Sequence, residues 1–340
     1  MSPDVEKVRP ASIRDVARLA GVSHQTVSRV LNHHPSLREA TKDRVLQAMD
    51  TLHYHPNRAA RMLVTSRSRT IGVLAAATGS LYGPMSSISG IEDAAHTADY
   101  YVSIANLDAL DPTSIAAAID HLMAQAVEGI VVIAPQKRVF DALAGLHISV
   151  PFVTLQSTGG FEGPSMYVDQ LAGAKLAMRH LIGLGHRRIM HLAGPQDWFE
   201  AGARLSGFRG ELEANSLPQT APVFGDWTAG FGYQAGRDLV RRREASAVFA
   251  SNDQIALGLM HAIHEAGLDV PRDISIVGFD DIPEAAHFWP PLTTVRQDFG
   301  ELGRRSIALL LRELDGEVLA RRDAISPELI VRASTATPAA

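Results

Sequence analysis

Apolar residues near the N-terminus recur at helical spacing. Between residues 13 and 20 they fall at i, i+3, i+4 and i+7, which predicts a short helix with one buried face. Gly21 supplies a tight turn, and apolar residues within 27–31 predict a second helix. A further apolar stripe over 45–52 predicts a third helix, so we expect a small three-helix core.

The starts of the first two helices carry residues that suit capping and DNA contact. Ser12 with Asp15 three residues later matches a capping-box spacing, and Ser23 can cap the second helix. The outward-facing polar residues near the start of the second helix are His24, Gln25 and Arg29. Because arginine can bind guanine and glutamine can bind adenine, the pattern indicates a DNA-reading helix-turn-helix. On spacing alone, an ordinary helical hairpin explains it equally well.

From residue 71 onward, short β-rich apolar runs alternate with helical patterns. The predicted strands are 71–76, 101–106, 129–135, 151–156, 188–195, 247–253 and 274–281. The clearest predicted helices between them are 115–125, 174–185 and 254–267. Such alternation predicts parallel sheets covered by helices, and its length exceeds one open sheet. We therefore expect an α/β core of two Rossmann-like subdomains.

Polar and aromatic residues collect at the predicted carboxyl ends of these strands, where doubly wound folds bind ligands. They are Gln156, Asp197, Asn252, Asp253, Asp280 and Asp281, with Trp227 after another short strand and Gln297 near the last crossover. Carboxylates and amides that bind hydroxyls, together with an indole against an apolar ring face, indicate a sugar site. Taken singly, each residue is better explained as a helix cap or a surface polar group.

The charge of the 340-residue chain is divided unevenly. The formal net charge is −5, yet residues 1–70 carry 12 Lys and Arg against 6 Asp and Glu. Residues 71–340 carry 20 against 31. A basic N-terminal module attracts phosphate and an acidic body is repelled by it, so the division favours DNA binding through the N-terminal module.

Composition argues against several other classes of protein. The chain has no Cys, which suits a reducing cytoplasm, and no apolar run approaches the roughly 20 residues that span a bilayer. No dinucleotide, P-loop, zinc-protease or nucleophile-elbow motif is found, and the 14 His are scattered. We expect no enzyme activity, no cofactor, no metal and no membrane partner.

Several segments resemble the LacI/GalR family of bacterial repressors. They are GVSHQTVSRVLN (21–32), TLHYHPNRAARML (51–63), VFGDWTAGFGYQ (223–234), FASNDQIALG (249–258), SIVGFDDI (275–282) and PPLTTVRQDF (290–299). The resemblance implies a helix-turn-helix DNA-binding domain (1–56), a hinge helix and linker (57–69), and a periplasmic-binding-protein-like core. The implied core subdomains are 70–168 with 297–324, and 169–296 with 325–340.

The resemblance also implies which residues contact DNA. These are Ser12, Ser23, His24, Gln25, Thr26, Ser28, Arg29, Asn32, Tyr54, Asn57, Arg58, Ala60 and Leu63. In the family, a hinge helix at 57–64 folds on operator DNA, pairs with its dimer mate and inserts the residue matched by Leu63 between base steps. An isolated helix of this length is marginal in water, and an ordinary linker explains the same residues.

The ligand contacts that the resemblance implies are Leu81, Pro84, Gln156, Tyr167, Arg204, Trp227, Asn252, Asp280, Gln297 and Phe299. Two positions depart from similar family members. Gln156 stands where they have an aspartate, and Ile133 stands where they have an asparagine. Both departures remove partners for sugar hydroxyls.

The sequence therefore predicts a cytoplasmic, nucleoid-associated homodimeric repressor. It should bind near-palindromic double-stranded operator DNA and lose affinity when a small-molecule inducer, such as a galactoside, binds between the subdomains. Three alternatives stay open: a family member activated by a purine or other corepressor, a sugar-binding transport protein, and a sugar-modifying enzyme.

Overall fold

The structure is a computed structural model that describes residues 11–31, 37–54, 62, 67–76, 82–155, 163–317 and 322–338. The chain forms two compact units, residues 1–68 and residues 69–340. In the described ranges, no helix is long and apolar enough to cross a membrane.

The first unit contains the three expected helices, which are α1 (Ile13–Ala20), α2 (His24–Leu31) and α3 (Glu39–Thr51). Val16, Val27 and Val45 contribute one fully buried side chain from each helix to a common core. Gly21 adopts a left-handed backbone with φ of 65°, which allows the turn between α1 and α2.

Side-chain caps set where α1 and α2 begin. The Asp15 carboxylate accepts hydrogen bonds from the backbone N–H and the hydroxyl of Ser12, at 3.0 and 2.6 Å. The Ser23 hydroxyl oxygen accepts from the backbone N–H of Thr26 at 3.1 Å. Both caps predicted from the sequence are present.

The second unit alternates strands and helices. Its first elements are β1 (Thr70–Ala75), α4 (Tyr82–Thr97), β2 (Tyr101–Asn106), α5 (Pro112–Ala124), β3 (Gly129–Ile133), α6 (Lys137–Leu143), β4 (Phe152–Leu155) and β5 (Ser165–Val168). The next are α7 (Gln170–Gly183), β6 (Ile189–Ala193), α8 (Phe199–Ala214), β7 (Val223–Phe224), α9 (Ala229–Arg242), β8 (Ala247–Ala250), α10 (Asp253–Glu265) and β9 (Ser275–Asp280). A 3₁₀ helix (Pro283–His287), β10 (Thr293–Arg296), α11 (Phe299–Leu314), β11 (Arg322–Ile325) and β12 (Glu328–Ile330) complete it.

These strands form two six-stranded sheets. The first has the order β11-β5-β4-β3-β1-β2 and is parallel throughout. The second has the order β12-β10-β9-β8-β6-β7 and is parallel except for β12. The predicted α/β architecture with two separate sheets is confirmed.

The chain passes between the sheets after β5, after β10 and between β11 and β12. After the second passage α11 returns to the first sheet, where Ile307 and Leu310 join the core around Ile71. The backbone N–H of Asp169 donates to the carbonyl of Ile325 at 3.0 Å. The first passage is therefore hydrogen-bonded to the end of β11, where the third passage begins.

The predicted strand 247–253 is too long, because β8 ends at Ala250. Asn252 instead caps α10, accepting a hydrogen bond from the backbone N–H of Ile255 at 2.8 Å, and Asp253 is the first residue of that helix. Strands β5, β10, β11 and β12, of three or four residues each, are not among those predicted.

Helices α4 and α11 approach each other most closely at glycine. A Cβ on Gly303 would lie 2.5 Å from the backbone carbonyl carbon of Gly90 and 2.6 Å from the backbone nitrogen of Ile91. Gly300 lies about one turn earlier on α11, and its Cβ would meet nothing closer than 3.5 Å. The two glycines therefore differ in packing while sharing a helix.

We expect Gly303→Ala to lower the melting temperature of the second unit, because overpacking commonly costs about 1–3 kcal/mol. Gly300→Ala is the matched control and should melt at or slightly above the parent, since alanine favours helix over glycine by up to about 1 kcal/mol. Thermal melts followed by circular dichroism at one protein concentration measure both. Equal melting temperatures for the two variants would contradict this packing.

Candidate functional site

The exposed face of α2 carries the residues predicted to read DNA. His24, Gln25 and Arg29 are exposed, whereas Thr26 and Ser28 are partly exposed. A guanidinium and an amide that project from one short helix can donate to base edges in a major groove. The face is therefore chemically suited to reading a duplex.

The other residues predicted to contact DNA have different surroundings. Ser12 and Ser23 take part in the caps of α1 and α2, and Tyr54 packs against the three-helix core. The remaining predicted contacts, Asn32, Asn57, Arg58, Ala60 and Leu63, lie outside the described residues, as does nearly all of the segment predicted to be a hinge helix.

A cleft of about 740 Å³, partly open to solvent, lies in the second unit. The carboxyl ends of β3, β4 and β5 line one wall, and those of β8, β9 and β10 line the other. Predicted ligand contacts that line it are Pro84, Tyr167, Arg204, Trp227, Asn252, Asp280, Gln297 and Phe299. Leu81 and Gln156 lie outside the described residues.

A closed ring of hydrogen bonds joins four buried side chains of this cleft. Arg204 donates from Nε to Oε1 of Gln170 at 2.8 Å, and Gln170 donates from Nε2 to Oε1 of Gln297 at 2.6 Å. Gln297 donates from Nε2 to Oδ1 of Asp280 at 2.6 Å. The ring closes where Nη2 of Arg204 lies 3.5 Å from the same Asp280 oxygen, while Nη1 donates to the carbonyl of Ser251.

Burial dominates the electrostatics of the charged pair in this ring. It raises the pKa of Asp280 to about 6, and the neighbouring Arg204 guanidinium opposes the rise. Burial also lowers the pKa of Arg204. The backbone of Asp280 has φ of 109°, a conformation that costs a non-glycine residue roughly 1–3 kcal/mol. Contacts with Arg204 and Gln297 help to offset the cost of burying the Asp280 charge and the cost of this backbone conformation.

Trp227 packs against the polar wall of the cleft, which is the wall at the carboxyl ends of β8, β9 and β10. Asn252 donates from Nδ2 to the Trp227 carbonyl at 3.0 Å, and the guanidinium of Arg204 lies 5.5 Å from the indole centroid. A Cβ on Gly194 would overlap the indole ring at 2.4 Å, so only glycine leaves room for it. The buried Nε1 of Trp227 has no hydrogen-bond partner among the described residues.

Comparison with known proteins decides the family. Residues 12–57 match the model for bacterial regulatory proteins of the lacI family, and residues 178–335 match the periplasmic binding protein-like domain. The lactose operon repressor of Escherichia coli (strain K12) is 34% identical over 334 residues, which cover 97% of this chain and 92% of that protein. The chain belongs to the LacI family.

Two further comparisons agree with this assignment. The HTH-type transcriptional regulator GalR of Escherichia coli (strain K12) is 35% identical over 336 residues, 96% of either chain. A crystal structure of the lac repressor dimer, bound to operator and the anti-inducer ONPF, matches with a TM-score of 0.86 at 33% identity. That match covers 96% of this chain and 100% of the other. The resemblance and the periplasmic-binding-like core expected from the sequence are confirmed.

Three polar strand-end positions do not line the cleft of this LacI-family chain. Asp253 is fully buried, and its carboxylate accepts hydrogen bonds from the Thr294 hydroxyl at 2.6 Å and the backbone N–H of Ile282 at 2.9 Å. Burial raises its pKa, and the charge of Asp280 adds to the rise. The other two form ion pairs, Asp281 with Arg296 and Arg332, and Asp197 with Arg138.

The cleft also contains residues that sequence reasoning missed. Gln170, Trp198, Glu200, Gln254, Tyr82 and Leu302 line it. Trp198 packs edge-on against Trp227 with ring centroids 5.3 Å apart. The helical pattern of α7 begins apolar after Gln170, so no periodic signal marks this residue. Among the residues described, no cluster of three His, Asp or Glu side chains could hold a metal.

The raised pKa of Asp280 predicts how its contribution to stability varies with pH. Because the folded pKa, about 6, exceeds the ordinary value of 3.8, the folded state binds the proton more tightly. The contribution is thus present below pH 4, and it is lost as the pH rises toward and through 6.

We therefore compare the unfolding free energies of the parent and Asp280→Asn. The difference, parent minus variant, should decrease by about 1 kcal/mol between pH 5 and pH 7. Urea unfolding, monitored by tryptophan fluorescence, measures this difference. The fluorescence reports on the second unit, because all three Trp belong to it. The subtraction removes histidine titrations common to both proteins. A constant difference across this range would show that the pKa of Asp280 is not raised.

Proposed function

We propose that this chain is a sequence-specific, DNA-binding transcriptional repressor that releases its operator when a small sugar binds the cleft. The closed ring of Arg204, Gln170, Gln297 and Asp280 carries the proposal, because it fixes hydrogen-bonding groups in a cleft between two subdomains. The names of the relatives, among them a lactose operon repressor, support the assignment of a repressor.

The first unit is the proposed DNA reader. Its exposed Gln25 and Arg29 lie four residues apart on α2 and can contact neighbouring base steps. The net positive charge of residues 1–70 supplies attraction to phosphate. We assign the segment 57–64, with Leu63, to a hinge that orders on the duplex, as the family resemblance implies.

The proposed ligand is a neutral, hydroxylated molecule. Arg204 is the only cationic side chain among the described residues that line the cleft, and it is paired with Asp280. A phosphorylated sugar would bring negative charge beside Asp280 and Glu200 without a free cation to receive it. A galactoside fits this chemistry, and so do other neutral sugars.

The second unit exposes apolar side chains that support a homodimer. Trp289 is 91% exposed in the loop after the 3₁₀ helix, and Leu257 is 43% exposed on α10. Phe288 and Ala285, which neighbour Trp289 in sequence, are buried in the same core cluster as Leu259 of α10. A second copy covering this apolar surface would bring two DNA readers to a near-palindromic operator.

The proposed role is binding and not turnover, in the cytoplasm where operator DNA is found. Asp253 is committed to Thr294 and Ile282, and Asp280 to Arg204 and Gln297. A sugar that contacts both walls would change the angle between the subdomains and thereby the spacing of the two hinges. By linkage, operator DNA must weaken sugar binding by the same factor.

Two variants should separate reading from release. Arg29→Ala should reduce discrimination between operator and scrambled DNA by about 1–3 kcal/mol while leaving sugar affinity unchanged.

Trp227→Ala should weaken sugar binding by about tenfold or more, roughly 1.4 kcal/mol, and retain operator binding. Trp227→Phe keeps most of the packing, loses the indole N–H and should fall between the parent and Trp227→Ala.

Fluorescence anisotropy with labelled operator, with and without sugar, measures both properties, and a thermal-shift screen of mono- and disaccharides supplies the sugar. Unchanged discrimination in Arg29→Ala would remove α2 as the reader. Tighter operator binding in the presence of the ligand would identify a corepressor instead.

A further inference from the structure

We propose that Gln170 is a positioning residue, which orients Arg204 and Gln297 toward the cleft by tying together the passages of the chain between the two sheets. The inference rests on the proposed function, because it concerns how the ligand site of that repressor is held. Gln170 is 4% exposed, and both polar atoms of its amide are bonded.

The direction of the ring follows from the chemistry at Arg204. An arginine Nε–H can only donate, so the oxygen of the Gln170 amide must face Arg204 and its nitrogen must face Gln297. Gln297 must then present its oxygen to Gln170 and its nitrogen to Asp280. Gln170 therefore links the amide orientation of Gln297 to Arg204, although the Gln170 side chain carries no charge.

The position of Gln170 in the chain gives this bond a second role. Gln170 begins α7 just after the first passage between the sheets, and Gln297 lies in the second passage. The preceding residue, Asp169, donates its backbone N–H to the carbonyl of Ile325, the last residue of β11, where the third passage begins. Asp169 also caps α7 by accepting from the backbone N–H of Ala172. Residues 169 and 170 therefore connect all three passages to the polar wall of the cleft.

A second glutamine provides a matched control. Gln254 lines the same cleft, and its side-chain amide has no hydrogen-bond partner in the part of the chain that the structure describes. Gln170→Leu and Gln254→Leu make the same chemical change in one cleft, yet only the first opens the ring. Gln170→Asn keeps an amide but is too short to reach both partners, and it serves where the leucine variant folds poorly.

The decisive measurement uses Asp280 as the reporter and needs no sugar. Charged or titratable groups that act on Asp280 or its partner Arg204 are Asp253, Glu200 and His191, and they are unchanged in every variant. If Gln170 holds Arg204 and Gln297 in place, its removal leaves the Asp280 carboxylate less well stabilised. The pH midpoint of the Asp280-dependent change in unfolding free energy should then rise by about half a unit or more.

This midpoint is obtained by comparing Gln170→Leu with the double variant that also carries Asp280→Asn, over pH 5 to 8 in urea unfolding. Gln254→Leu should keep the parent midpoint. A Gln170 variant that is less stable at every pH but has an unchanged midpoint would reduce Gln170 to a packing residue and overturn the proposal.

Sugar binding provides a second arm, with methyl β-D-galactoside as the probe and tryptophan fluorescence as the readout. Gln170→Leu should bind it about tenfold more weakly than the parent does. Equal binding by Gln170→Leu and the parent would contradict the positioning role. If the parent itself does not bind the probe, the galactoside assignment fails under the proposed function, and the pH midpoint alone decides the role of Gln170.

Discussion

The buried ion pair between Arg204 and Asp280 is the constraint on which the ligand cleft depends. Charges removed from water are costly unless their partners are well placed, and here the partners come from distant parts of the chain. Gln170 follows the first sheet and Gln297 precedes the return to it. The fold must bring these passages together to supply partners for the ion pair. The electrostatics of the site therefore depend on how the chain crosses between the two sheets.

The same constraint accounts for the contrast between the two walls of the cleft. Groups that can bind hydroxyls are concentrated on the wall formed by the second sheet, whereas Ile133, Leu155 and Leu302 make the opposite wall apolar. A ligand that fills this space contacts groups whose positions are tied to the relative orientation of the subdomains. We regard this as the physical basis for a repressor that responds to a small molecule.

Much of this arrangement could be predicted from the sequence, because the signals are local. Helical spacing and a glycine turn gave the three N-terminal helices, apolar runs gave most central strands, and motifs gave eight residues that line the cleft. Asp253 and Asp281 were grouped with the ligand site because both follow strands. Their actual partners, Thr294 and Arg332, are distant in sequence and leave no local signal. Gln170 was missed for the same reason, since its importance lies in two long-range hydrogen bonds.

The central claim, that cleft and operator act on one conformational equilibrium, is tested most directly by measuring their coupling in both directions. Operator affinity is determined with and without saturating sugar, and sugar affinity with and without saturating operator. The account predicts that both affinities fall by the same factor, roughly 5- to 150-fold. Operator affinity that stays unchanged while sugar occupies the cleft would contradict it.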